Sequence, residues 1–105
     1  MAQYDVFRNP SVVSRNEVPF VVLIQCELLN HLSTRLVIPL ANYTAKTPSG
    51  PPVLCPLVEF EGQSLRALPH LMAAFRVRDL GKPVGSLTHC ASTLAAAVDA
   101  VLSGF

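Results

Sequence analysis

Charge of one sign, paired cysteines and long apolar runs are all missing from this sequence. Lysine and arginine together number eight against seven aspartates and glutamates, a formal net charge of +1. That balance lacks the basic footprint on which phosphate-dominated binding depends, so no direct nucleic-acid binding by the chain alone is expected. Charged residues are scarce overall, at 14%, where soluble domains average about 25%. Half of the residues are apolar, and a chain this small cannot bury them all. Part of the surface is therefore expected to be an interface, and a homodimer supplies one.

The densest apolar stretch, Val18 to Ile24, is interrupted by Pro19 and falls far short of the ~18–20 residues that span a bilayer. No membrane association is expected. The first residues carry Asp5 without a basic flank or an apolar run, so no secretory signal is read and the cytoplasm is the expected compartment. Cys26, Cys55 and Cys90 are odd in number and widely separated, which excludes a Cys-x-x-Cys zinc or redox pair and leaves buried free thiols. His31, His70 and His89 show no ligand spacing with a neighbouring Cys or carboxylate, so neither a metal nor a cofactor is expected.

What is present reads as one domain, 1–105, because a chain of this length builds a single core. Gln3 to Arg8 reads as a first strand closed by Asn9-Pro10, and Phe20 to Ile24 as a central strand buried on both faces. Cys26 to His31 reads as a loop. Arg35 to Leu40 is apolar again, but Pro39 cannot donate to a ladder and so marks an edge or a bulge. Thr44 to Pro52 concentrates Pro, Gly, Ser and Thr and reads as an exposed loop. Val58 and Phe60 alternate with Glu59 and Glu61, and Leu65 and Ala67 flank Arg66, the pattern of a hairpin turned at Gly62-Gln63 with one wet face. Phe75 and Val77 alternate with Arg76 and Arg78 in a further strand, followed by a turn at Gly81-Lys82-Pro83.

From Leu87 the period changes. Leu87, Cys90, Ala91, Leu94, Val98, Val101, Leu102 and Phe105 follow the rhythm of a helix with one apolar face, with Ser86 or Thr88 to cap its start and Gly104 to cap its end. Strands first and one helix last predict a mainly β fold: a small, strongly bent antiparallel sheet or barrel with a C-terminal helix packed on it.

No catalytic cluster accompanies these elements. Glu59 and Glu61 are neighbours on one solvated strand face, adjacent helix residues such as His89 and Cys90 diverge by about 100°, and neither a nucleophile elbow nor a phosphate loop occurs. The chain is not expected to be an enzyme.

The block Arg35-Leu36-Val37-Ile38-Pro39-Leu40-Ala41 resembles the Val-Ile-Pro-Leu-Ala strand of the CcdB family. Leu54-Cys55-Pro56-Leu57-Val58 is similar to that family's Pro-Val-Val segment, and Leu87-Thr88-His89 to its Leu-Ser-His helix start. The resemblance covers nearly the whole chain, and from Leu54 onward it needs no gap. It implies an SH3-like barrel with a bent antiparallel sheet, a small side sheet and a C-terminal helix. It also implies a homodimeric toxin of a toxin–antitoxin pair that binds the DNA gyrase A subunit, traps the enzyme with its DNA cleaved, and is neutralised by a CcdA-like antitoxin. The positions implied for the gyrase contact are Ser103, Gly104 and Phe105, then Gln3 and Tyr4, then Cys26 and Leu28, and Asp99. For the antitoxin they are Asp99, Leu102, Ser103, Gly104 and Phe105.

Two positions depart from the family's pattern. Ser103 stands where its toxins carry a tryptophan that stacks on an arginine of gyrase, and Asp99 replaces a neutral amide. A dimeric binding module that has lost or weakened the poisoning activity is the alternative these departures raise. An RNA-cleaving toxin on the same barrel would need an acid–base pair and a basic groove, against which the near-neutral charge argues.

Overall fold

The computed structural model describes residues 1–43 and 51–104. The expected Thr44 to Pro52 loop therefore lies mostly outside the described residues, as does Phe105. In chain order come β1 (Asp5–Arg8), β2 (Phe20–Leu23), β3 (Thr34–Asn42), β4 (Leu57–Phe60), β5 (Gln63–Ala67), β6 (Ala73–Arg76), α1 (Val77–Leu80), β7 (Gly85–Ser86) and α2 (Ala91–Ser103). All strand pairs are antiparallel, in the order β4-β5-β3-β2-β1-β7, with β6 also paired to β3. A mainly antiparallel sheet with one C-terminal helix is the architecture read from the sequence. No helix among the described residues is long and apolar enough to cross a membrane.

Strand alternation sends successive side chains to opposite faces, and here both faces are covered. Val6, Val22, Ile38 and Leu40 join Leu65, Leu87 and Leu94 in the larger core beneath α2. Phe7, Val21, Leu23 and Val37 pack with Leu80 on the other side. Val6 and Phe7, adjacent in β1, thus each fill a different core. β2 is buried on both faces, as its unbroken apolar run predicts.

Pro39 overturns the expectation of an edge. β3 is the central strand, with β2 on one flank and, on the other, β6 opposite Thr34 to Val37 and β5 opposite Leu40 to Asn42. The Ile24 N–H donates to the Leu36 carbonyl, so Leu36, Ile38 and Leu40 aim their backbone groups at β2 and Pro39 aims away. Its carbonyl accepts from the Leu68 N–H at 3.0 Å, and its hydrogen-free nitrogen meets the ladder where one partner strand hands over to the next. A missing donor does no harm in that gap.

The β4–β5 hairpin forms as read, although its turn is Glu61–Gly62, since Phe60 pairs with Gln63. Both turn residues have positive φ, 50° and 77°, as a two-residue hairpin turn matched to strand twist requires. Glu61 thus belongs to the turn and not to a strand face. The strand expected through Arg78 ends at Arg76, and Val77–Leu80 makes one helical turn that inserts Leu80 into the second core.

The closing helix begins later than expected. A 3-10 turn, Thr88–Cys90, precedes α2, and Cys90 at the junction offers no side-chain cap. Ser86 caps the 3-10 turn instead, its Oγ accepting the Thr88 N–H at 3.2 Å. Gly104 ends α2 in the left-handed conformation at φ 66° and donates its N–H to the Ala100 carbonyl, the helix stop that glycine allows without steric cost. The buried side of α2 is Leu94, Ala97 and Ala100. Leu102, assigned to that side by periodicity, is 73% exposed.

Candidate binding groove at the chain ends

Tyr4 does not continue β1 as expected but takes a left-handed turn at φ 71°. Such a conformation costs a non-glycine residue about 1–3 kcal/mol and persists only where neighbours over-determine it. They do so here. The Tyr4 N–H donates to the Leu23 carbonyl at 2.6 Å, and the Tyr4 carbonyl accepts from Leu87 at 2.8 Å. The residue is clamped between the end of β2 and the entry to α2.

Gln3 extends the same clamp. Its side-chain nitrogen donates to the Ile24 carbonyl at 2.9 Å, while its backbone N–H reaches the Glu27 carboxylate at 3.3 Å. Glu27 opens a 3-10 turn, Glu27–Leu29, with Cys26 just before it. Between this segment and α2 lies a groove of about 180 Å³ lined by Gln3, Tyr4, Ile24, Leu94, Ala95, Val98 and Asp99.

Of the residues singled out from sequence, the structure thus brings Gln3, Tyr4 and Asp99 into one groove and hangs the Cys26–Leu28 turn on its rim. Leu28 points away from the core, 87% exposed. Leu102, Ser103 and Gly104 stand exposed at the C-terminal end of the same helix. The Ser103 hydroxyl is spent on its own helix, donating to the Asp99 carbonyl at 2.7 Å. Phe105 lies outside the described residues.

Sequence reasoning did not pick out Ile24, Leu94, Ala95 and Val98 as groove wall, nor Glu27 as the rim's anchor. Spacing held a partial signal: Leu94, Ala95, Val98 and Asp99 fall on one strip of a helix. The role of Glu27 had none, since it depends on where Gln3 arrives from elsewhere in the chain.

The turn that carries Cys26 and Leu28 is held from behind. Arg35 is buried at 5% exposure and donates to the carbonyls of Asn30 at 2.8 Å, Leu32 at 2.5 Å and Thr34 at 2.9 Å. Its charge meets no carboxylate among the described residues; three carbonyl dipoles stabilise it and tie the loop to β3.

The cysteines divide differently from the expectation of three buried thiols: Cys55 is buried, Cys90 is half-buried and Cys26 is exposed. Burial pushes the Cys90 thiol above the usual range. Cys55 Sγ lies 3.9 Å from His70 Nδ1, and no group of three or more metal-ligating side chains occurs among the described residues. An apolar wall with one carboxylate at its edge is suited to seating a side chain of another molecule.

The known family described as CcdB protein matches residues 3–104, nearly the entire chain. No curated protein compared with the chain matches it.

Proposed function

From the premise that the chain belongs to the CcdB family, we propose that it is the toxin of a type II toxin–antitoxin pair, binding the DNA gyrase A subunit and trapping the gyrase–DNA cleavage complex. The chain then acts by binding in place of catalysis, as a cytoplasmic homodimer presenting two copies of the groove. A CcdA-like antitoxin neutralises it by covering Asp99, Leu102, Ser103, Gly104 and Phe105, and the toxin–antitoxin complex represses its own operon. Beyond family membership, the observation that supports this reading is the convergence of Gln3, Tyr4 and Asp99 on one groove. These residues come from opposite ends of the sequence, and the helix beside the groove ends in an exposed Ser103-Gly104.

One observation favours a second reading, a dimeric binding module with weakened or lost poisoning. The Ser103 hydroxyl turns back onto the Asp99 carbonyl, and a serine supplies none of the stacking that the family's tryptophan provides. An aromatic contact of that kind is worth about 1–2 kcal/mol, or about ten-fold in affinity per site.

Supercoiling by gyrase from the source organism separates the two. Inhibition is expected from the intact protein, with about ten-fold strengthening by Ser103→Trp. Removal of Ser103 to Phe105 should abolish it while the far-UV circular dichroism spectrum is retained. Failure of both the intact protein and the Ser103→Trp variant to inhibit would make the binding module the better account.

A further inference from the structure

We propose that the hollow under the connection from β1 to β2 binds a small organic phosphate monoester, its phosphate between Arg8 and Arg15 and its apolar body on Val12, Pro19 and Phe20. The site goes beyond the gyrase reading and does not depend on it. It opens where Arg8 pairs with Phe20, whereas the groove at Tyr4 and Ile24 lies at the opposite end of the same two strands. The four residues of β1 put about 13 Å between the two ends, at ~3.3 Å per residue.

The first argument is a loop built to hold its shape. Asn9 to Pro19 forms neither strand nor helix, yet Asn9 is buried at 4% exposure and organises the turn around itself. Its side-chain nitrogen donates to the Val18 carbonyl at 2.8 Å and to the Ser14 hydroxyl at 3.2 Å, and its side-chain oxygen accepts the Ser11 N–H at 3.0 Å. The Asn9 backbone carbonyl accepts from Arg15 Nε at 2.7 Å. That bond fixes one edge of the Arg15 guanidinium and leaves its two terminal nitrogens without a partner among the described residues. A fork held in this way is oriented before a ligand arrives, so little ordering is left for binding to do.

Charge is the second argument. Arg8 and Arg15 both line this hollow, and no carboxylate does so. The Arg8 side chain has no hydrogen bond or ion pair among the described residues, where the ion pair joins Arg76 to Asp79. Two like charges facing one hollow repel each other until an anion lies between them.

Charge and acceptor count select the anion. A phosphate monoester brings about −1.5 to −2 charges at neutral pH and three acceptor oxygens, enough to engage two guanidinium forks at once. A carboxylate, with one charge and two oxygens, is satisfied by a single fork. Size selects the rest of the molecule. At about 400 Å³ the hollow falls within the ~300–1,000 Å³ of small-molecule sites. Val12, Pro19 and Phe20 supply an apolar wall beside the arginines, and Val12, 73% exposed, is surface that a ligand's apolar body would take out of water.

The intact protein is titrated with phenyl phosphate, with methyl phenyl phosphate, which keeps the ring and loses one charge, and with inorganic phosphate, each followed by ¹H–¹⁵N correlation spectra. Phenyl phosphate should shift the Arg8, Val12 and Asn16 amides, with a Kd at least ten-fold below that of the diester and at least three-fold below that of inorganic phosphate. Arg8→Gln, at an exposed strand end, should raise the phenyl phosphate Kd at least five-fold. Arg15→Lys, which keeps the charge and loses the fork, should raise it as well. Arg78→Gln, on a separate hollow, should leave it unchanged. Inorganic phosphate binding as tightly as phenyl phosphate would overturn the organic ligand and leave an adventitious ion only. Equal binding of monoester and diester, or no shift at these amides, would overturn the site. None of these readouts involves gyrase, so failure here and failure of the supercoiling assay are separate outcomes.

Discussion

Replacing Gly85 by alanine tests the packing of β7 against Phe60 in the larger core. A Cβ at that position would lie 2.5 Å from Phe60 Cε1 and 2.6 Å from Cζ, about 1 Å inside ordinary contact. Phe60 cannot swing clear: it is 7% exposed and its ring meets Phe20 edge-on, with centroids 5.1 Å apart at 72°. Overpacking of this kind costs about 1–3 kcal/mol. The loss of chain entropy in the unfolded state returns at most about 1 kcal/mol, so steric strain wins and a net loss of about 1–2 kcal/mol is expected. For a domain of this size that lowers Tm by about 5–15 °C, readable by circular dichroism melting and urea titration. The cause is isolated by repeating the substitution in a Phe60→Leu background, where the two clashing ring atoms are gone. There Gly85→Ala should cost nothing or stabilise slightly, a coupling of about 1–2 kcal/mol between the sites. Equal losses in both backgrounds, or none in either, would refute the account.

Three further outcomes are expected. Arg35→Leu strands three backbone carbonyls and should lower stability by about 2–4 kcal/mol, with faster amide exchange at residues 27–33; a change below 0.5 kcal/mol on the order of error would show that the loop holds itself. Because burial raises the Cys90 thiol, the folded state keeps its proton when the unfolded chain has lost it. Stability should therefore be intact below the usual thiol pKa and decline as pH rises through and above it. Cys90→Ala should flatten that decline, as followed by urea titration from pH 7 to 10. Sedimentation at micromolar concentration should give twice the 11.3 kDa chain mass, and a mass of one chain at every concentration would remove the dimer from the proposal.

Periodicity made β2, the β4–β5 hairpin and α2 legible, because in each the apolar pattern is produced by burial within the element itself. It misplaced Pro39 because proline's cost depends on which flank its nitrogen faces, and only the strand order decides that. Val77 continued an alternating pattern into what proved to be a helical turn, since four residues cannot separate a period of 2 from one of 3.6. Leu102 was assigned to the core by spacing, yet it falls off the side of α2 that buries Leu94, Ala97 and Ala100 and stands exposed. At the groove, the end residues were identified through family likeness, whereas Tyr4's left-handed turn had no local signal: tyrosine rarely adopts it, and the hydrogen bonds that impose it come from Leu23 and Leu87.

The groove joins Gln3 and Tyr4 to Leu94 through Asp99, so one wall comes from just before β1 and the other from α2, with every strand of the sheet between them in sequence. The N-terminal wall must wait, through translation at about 5–20 residues per second, until α2 has emerged. A chain made only as far as β7 carries one wall and no groove. Whatever engages both walls can do so only after α2 has been made and packed against the sheet.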